Sequence, residues 1–220
     1  MGDNLNPVTF NGVSMVDGFL EAHSYLFSRQ TLDYSSYQGS FESIRKEVLR
    51  ILDNDIRHAG NVSPVLKSML LSFKHLIYSD SMSDDINALH QSGLSISDAI
   101  DEYFSLVILM LSEHGQLDRQ NDIRDIYTRF QKVMNIEVRV PVICNNDIII
   151  VAEDITVSDF LYFPLSRVKA IITTNGHRTS HAVELAINLD LPMVIQATAE
   201  IIKIDHPALL SISQGTISLI

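Results

Sequence analysis

Several things that would narrow this protein's chemistry are scarce in its sequence. There is one cysteine, Cys144. A single thiol forms no internal disulfide and no cysteine-based zinc site, and a reducing cytoplasm is the simplest compartment for it. Long apolar runs are missing too. Near the middle the longest is Leu106 to Leu111, far short of the roughly 20 residues a membrane-spanning helix needs. Met1 to Thr9 has no basic stretch leading into an apolar one, so no secretory signal is expected. Asn6 breaks the myristoylation pattern that Gly2 would begin. Basic residues are few, 16 Lys and Arg against 27 Asp and Glu, for a net charge of −11. That argues against a nucleic-acid binder, which needs a basic face to neutralise phosphates.

The shortage of positive charge is uneven. From His75 to Leu117 there is no Lys or Arg, while Asp80, Asp84, Asp85, Asp98, Asp101, Glu102 and Glu113 all fall there. Such a run is either a solvated helical face or a surface that steers a basic protein partner. Composition by itself favours the first. The remainder is ordinary for a soluble globular protein, with 46% hydrophobic and 20% charged residues in a 220-residue chain. That length allows one large or two small domains with proper cores.

Along the chain, Val8 to Val16 and Gly18 to Phe27 read as two extended segments joined by Asp17-Gly18, a hairpin-type turn signal. Arg29 to Gln38 is polar and irregular and reads as a crossover. From Phe41 the period becomes helical through Ile44, Val48, Ile51, Leu52 and Ile56, with Gly60-Asn61 as a stop. A second helix starts at Pro64 and carries Val65, Leu66, Met69, Leu70, Phe73, Leu76 and Ile77. Asp80 to Asp85 reads as a polar break before a short helix, Ile86 to Gln91, stopped by Gly93. Ser95-Ile96-Ser97-Asp98 fits a capping box and opens a helix with Ile100, Phe104, Val107, Ile108 and Leu111 inside. The last helix carries Ile123, Ile126, Tyr127, Phe130, Val133 and Met134. These stripes are read as the core of a helical bundle of about a hundred residues.

After Asn135 short strands return, at Val138 to Ile143, Asp147 to Val151, Val168 to Ile172 and Met193 to Ile195. Ala208 to Ile220, centred on Gln214-Gly215, reads as a closing hairpin. Strands on both sides of a helical middle predict an insertion. One α/β domain, residues 1–32 plus 136–220, is interrupted by a helical domain at 33–135.

Function is placed in one stretch. Thr173-Thr174-Asn175-Gly176-His177-Arg178-Thr179-Ser180-His181 follows a buried-strand pattern and leads into a short helix with Ala182, Leu185, Ala186 and Leu189 on one face. Unpaired N–H groups at a helix start favour a phosphate. A neutral imidazole there can attack a phosphoryl group and carry it.

The surrounding blocks carry a family resemblance. Gly176-His177-Arg178-Thr179-Ser180-His181, then Leu189-Asp190-Leu191-Pro192-Met193-Val194-Ile195, resembles the phosphohistidine motif of enzyme I. Enzyme I is the phosphoenolpyruvate-protein phosphotransferase of the bacterial sugar phosphotransferase system. Its motif is a Gly-Gly-Arg-Thr-Ser-His run, a helix and a Leu-Pro-Ala-Val-Val-Gly-like strand. Ile149 to Asp159 resembles the family's Val-Ala-x-Asp-Leu-Thr-Pro-Ser-Glu segment, and Asp122 to Arg129 its Asp-Val-Arg-Asp-Ile-x-x-Arg helix. Phe73-Lys74-His75 matches its Phe-Glu-x-His helix more loosely. The blocks stand in family order and span essentially the whole chain, as the N-terminal half of that family. A swivelling phosphohistidine domain also occurs in pyruvate phosphate dikinase, but the Asp-Ile-Arg-Asp block on a helical insert points to enzyme I. Four positions depart from the pattern: His177 for the second Gly, Ile187 for an Arg, Gln196 for a Gly and Val157 for a Pro.

The resemblance implies a swivelling phosphohistidine domain with an inserted four-helix-bundle-like subdomain that binds the phosphocarrier HPr. It implies that His181 accepts the phosphoryl group on Nε2. Arg178, Thr179 and Ser180 would assist, and the Thr173 hydroxyl would help set the imidazole's rotamer. His75, Asp80, Asp84 and Asp85 are the expected partner-binding residues, and Arg124 and Arg129 are grouped with them as structural or interface-supporting. No metal or cofactor is expected in this stretch. Phosphoenolpyruvate and magnesium belong to a C-terminal barrel that the family has and these 220 residues lack. Two alternatives stay open: a self-standing phosphohistidine relay module fed by HPr, and a degenerate regulator that binds HPr without transferring phosphate.

Overall fold

The computed structural model describes residues 8–28, 39–135, 142 and 144–220. Among them the strands are β1 (Thr9–Asn11), β2 (Val13–Val16), β3 (Phe19–Phe27), β4 (Ile148–Ala152), β5 (Val168–Thr173), β6 (Met193–Ile195), β7 (Leu209–Ser213) and β8 (Thr216–Leu219). The α-helices are α1 (Phe41–Ala59), α2 (Pro64–Ile77), α3 (Asp80–Gln91), α4 (Ile96–Glu113), α5 (Leu117–Asn135) and α6 (His181–Asn188). The chain divides into two compact units. One gathers Met1–Arg29, Pro141–Ile155 and Tyr162–Ile220, and the other Gln30–Val140 and Thr156–Leu161.

The first unit is a single sheet in the order β1-β8-β7-β3-β4-β5-β6-β2. Strands β3, β4, β5 and β6 run parallel, and β7, β8, β1 and β2 pair antiparallel. Every residue of β4 is buried, and all of β5 is buried except Lys169. That is why both read as continuous apolar runs rather than alternating ones. Ile149, Val151, Ala170, Ile172, Val194, Leu210, Ile212 and Ile217 share one core cluster.

The ends of the sheet belong to consecutive pieces of chain, since β1 and β2 are separated only by Gly12. The Gly12 N–H donates to Gly215 O on the β7–β8 turn at 2.9 Å. On its other side an added Cβ would meet Val194 Cγ1 of β6 at 2.5 Å. The sheet therefore closes on itself, with Gly12 at the seam.

This closure corrects the expected N-terminal hairpin. Ser14 Oγ donates to Asp17 Oδ1 at 2.6 Å, but no hydrogen-bonded turn forms at Asp17-Gly18 and the segments on either side do not pair. β2 registers on β6, and β3 lies between β4 and β7. The expected closing hairpin does form. Gln214 and Gly215 have φ of 47° and 83° at its tip, the left-handed pair that a tight hairpin turn needs. The crossover at Arg29–Gln38 lies outside the described residues. So does the strand expected at Val138–Ile143, apart from Val142, which is buried and donates to Tyr162 O at 3.0 Å.

The second unit holds α1 to α5 and the 3₁₀ turn Val157–Leu161. Its helices start where the sequence provides caps. Ser40 Oγ accepts from Ser43 N, and Ser63 Oγ from Val65 N ahead of α2 with Pro64 in its first turn. Ser95 Oγ accepts from Asp98 N at 3.1 Å and donates to the Asp98 carboxylate at 2.6 Å. Such caps take up N–H groups that the helix leaves unpaired.

Asp80 to Asp85 is not a break but the start of α3. Met82 and Ile86 are buried one turn apart, while Asp84 and Asp85 are exposed. Asp80 in the first turn also complements the helix dipole. Leu76, expected inside, is 45% exposed, and Val107 and Ile108 are only half-buried. The core is aromatic at its centre, with Phe104 4.9 Å from Tyr127 and 5.4 Å from Phe130, and Phe41 stacked on Phe130 at 5.9 Å.

Candidate functional site

β5 brings the chain to the candidate loop. Its last residue, Thr173, is fully buried, and the Thr173 hydroxyl donates to Asn175 O at 2.6 Å. With its one proton committed there, the oxygen has only lone pairs left to present. Thr174 N donates to Ala152 O at 3.1 Å, and Asn175 N to Glu153 O at 2.8 Å, so the loop is fastened to the end of β4.

Gly176 then takes φ of 114°, which only glycine adopts without strain. His177, which stands where the family pattern has a second Gly, is not in the left-handed region. The loop therefore needs its glycine at 176, and an imidazole at 177 costs no backbone strain. His177 is half-buried, with Nδ1 2.9 Å from Thr179 Oγ1.

The loop ends on a cap. Ser180 N donates to His177 O at 3.1 Å, and the buried Ser180 hydroxyl accepts from Val183 N at 3.4 Å. His181 is the first residue of α6 and is half-buried. The first N–H groups of any helix project from its start and draw negative charge. Arg178 and Thr179 are exposed beside it. Among the described residues no carboxylate holds Arg178 in an ion pair. An imidazole at a helix start, beside an exposed guanidinium and an exposed threonine, suits an anion.

A further segment is laced to this loop from β6. Ala197 N donates to Thr173 O at 2.9 Å and Gln196 N to Asn175 O at 3.5 Å. The Gln196 side chain adds a third bond, Nε2 donating to Gly176 O at 3.2 Å. Gln196 itself has φ of 53°. The sequence marks Gln196 only as a departure from a pattern, and its contact with the loop needs coordinates to be seen.

The expected partner-binding residues fall in the helical unit and divide into two groups. His75, near the end of α2, and Asp80, Asp84 and Asp85 on α3 are exposed, as is Arg124 on α5. Asp85 also lines an apolar groove of about 450 Å³ between α3 and α4, with Leu89, Tyr103, Leu106, Val107 and Met110. Leu106 and Met110 are 51% and 49% exposed. Burial raises the Tyr103 hydroxyl above its ordinary range, and the Asp85 charge adds to the effect.

Arg129 differs from these and takes the structural alternative. It is buried, and its guanidinium pairs with Asp55 of α1 at 2.6 Å and donates to Ser158 Oγ. Asp125, one turn earlier, accepts from Ser158 N at 2.8 Å. These groups hold the 3₁₀ turn against the helices, and Arg129 presents nothing to a partner. Asp55 escapes sequence reading because it stands out by neither type nor spacing, and Ser158 is read only as part of the Ile149–Asp159 block, without its partner.

Comparison with known proteins bears on these parts. Residues 144–215 match the family described as PEP-utilising enzyme, mobile domain. The chain is similar to the phosphoenolpyruvate-protein phosphotransferase of Enterococcus faecalis, 31% identical over 200 residues, covering 84% of this chain and 35% of that protein. It is also similar to the phosphoenolpyruvate-protein phosphotransferase of Listeria innocua, 23% identical over 212 residues and covering 88% and 37%. The chain thus spans little more than a third of the length of these curated relatives. Two solved structures share its fold. A solution NMR structure of an Enzyme I protein superposes with a TM-score of 0.61 at 16% identity, covering 96% of this chain and 92% of that one. The N-terminal domain of a nitrogen Enzyme 1 gives 0.56 at 16% identity, covering 96% and 93%. The fold is accordingly the mixed α/β arrangement with a helical insert shared with those domains.

Proposed function

We propose that this chain is the phosphoryl-carrying part of a phosphoenolpyruvate-protein phosphotransferase, with the two compact units as its two domains. His181 takes the phosphoryl group on Nε2 and exchanges it with the His of an HPr-type carrier. One observation carries the reading. His181 opens a capped helix within the segment that matches the mobile domain of PEP-utilising enzymes.

The step is a displacement at phosphorus. The carrier's P–N bond breaks as a P–N bond to His181 forms, with no change of oxidation state. Catalysis of such a step is mainly positioning and stabilisation of charge on the three equatorial oxygens. Arg178, Thr179 and the N–H groups at the start of α6 meet that need. Thr173 has a narrower role. Its oxygen can only accept, so an imidazole that turns one ring N–H toward it keeps the other ring nitrogen as the nucleophile.

The carrier docks on the helical unit. The groove between α3 and α4 supplies exposed apolar surface, and Asp80, Asp84 and Asp85 supply the charge that a basic partner complements. A barrel that binds phosphoenolpyruvate with magnesium would load His181 in a longer protein, and cytoplasmic localisation follows from that system.

Incubation with ³²P-labelled phospho-HPr tests the reading. Acid-labile label on the wild-type chain, absent from His181→Ala, is expected. No label, or undiminished label in His181→Ala, overturns it. Ile187, 52% exposed on α6 where the family pattern has an Arg, favours the regulator as a second reading. Tight HPr binding with no transfer in either direction would select it.

A further inference from the structure

Among the described residues, three non-glycine residues take positive φ: Asp190, Gln196 and Gln214, at 50°, 53° and 47°. Two have ordinary reasons. Asp190 follows the C-terminal end of α6, and Gln214 sits at the tip of the β7–β8 hairpin. Gln196 does neither. It follows β6 and faces the His181 loop. Of the three it is also the one whose side chain makes a hydrogen bond among the described residues.

We infer that Gln196 is a positioning residue for the phosphoryl-accepting loop, an inference that rests on the function proposed above. Its amide fixes the Gly176–His177 peptide, and through it the cap of α6. Nε2 holds Gly176 O at 3.2 Å. Gly176, with φ of 114°, is the loop residue with most backbone freedom. The next carbonyl, His177 O, receives Ser180 N at 3.1 Å, and Ser180 caps the helix that His181 begins. One amide thus restrains the loosest peptide in the path between β5 and the nucleophile. The backbone bonds from Gln196 N and Ala197 N leave that peptide untouched, because they end on Asn175 O and Thr173 O.

The left-handed backbone makes the inference separable from a general role in stability. Gln196→Gly removes the tether but relieves the positive φ, so the protein should become more stable while transfer slows. Gln196→Glu keeps the length and the backbone strain but replaces the donor by an oxygen that repels Gly176 O.

The experiment is single-turnover phosphoryl uptake from phospho-HPr, over a range of HPr concentrations, with thermal unfolding measured in parallel. Both variants should lose about fivefold in the saturated rate, the size expected for one net hydrogen bond, with unchanged half-saturating HPr. The unfolding midpoint should rise for Gln196→Gly and stay or fall for Gln196→Glu. A Gln196→Gly chain that transfers at the wild-type saturated rate overturns the inference, as does a loss that resides in half-saturation alone. Wild-type protein that takes no label while binding HPr would instead overturn the function on which it rests.

Discussion

Arg129 on α5 and Asp55 on α1 form an ion pair of 2.6 Å, both buried in the helical unit. Asp125 lies one helical turn away, its Oδ1 3.5 Å from Arg129 Nε. Two carboxylates therefore share one guanidinium at a largely buried site. Arg129→Met should destabilise the chain by about 3–5 kcal/mol, since it strands buried negative charge. Urea unfolding measures this. Wild-type stability with weakened HPr binding would mean that Arg129 serves an interface.

The groove between α3 and α4 should behave differently. Leu106→Ala is expected to weaken HPr binding roughly tenfold, about 1.4 kcal/mol, and Asp85→Lys to weaken it most at low salt. Both side chains are exposed, so stability should change by no more than about 0.5 kcal/mol. Titration calorimetry at two ionic strengths separates the apolar from the electrostatic contribution. Unaltered affinity in both variants would place the docking surface elsewhere.

Asp101 gives the chain a pH dependence. Burial raises its carboxyl pKa, the Tyr127 hydroxyl donating at 2.9 Å opposes the rise, and Asp98 adds to it. A carboxyl raised on folding favours the folded state below the ordinary carboxyl range, and that contribution fades as pH climbs through the folded value. At pH 7 the ionised group is therefore a net cost. Asp101→Asn should raise the melting temperature at pH 7, because the substituted amide oxygen still accepts from Tyr127. The half-exposed site limits the gain to well under about 1 kcal/mol, and it should vanish toward pH 3. A gain that grows on acidification would contradict this account.

Two glycines should respond oppositely to alanine. At Gly12 the new Cβ would lie 2.5 Å from Val194 Cγ1 and 2.9 Å from Ile195 O, so Gly12→Ala should cost about 1–3 kcal/mol. Gly60 has φ of −61° and meets nothing closer than 3.6 Å. Gly60→Ala should be neutral or stabilise by up to about 1 kcal/mol through the unfolded chain. Denaturant midpoints for the pair test both expectations.

Local signals made much of this fold legible. The Ile148–Ala152 and Val168–Thr173 runs, the Ser95 capping box and the Gln214-Gly215 turn each carry their own physical cause within a few residues. What stayed hidden was decided at long range. Nothing near Asp17-Gly18 says that the flanking strands will seek β6 on one side and β4 and β7 on the other. Asp80 to Asp85 looked like a break because an exposed polar face and a loop share a composition, and only the buried Met82–Ile86 pair tells them apart. At the candidate site the loop and its His were readable by type and order. The conformation of Gly176 and the reach of Gln196 were not, because both depend on a strand that follows twenty residues later in the chain.

The seam at Gly12 has a consequence for association between copies of the chain. A sheet whose two ends are supplied by neighbouring pieces of one segment exposes, among the described residues, only the short edges of β1 and β2 to a second molecule. Deleting the chain through Gly12 would uncover the free side of β8, which β1 occupies in the intact molecule. Such a fragment would hold a ready template for strand exchange, and self-association would be its characteristic failure.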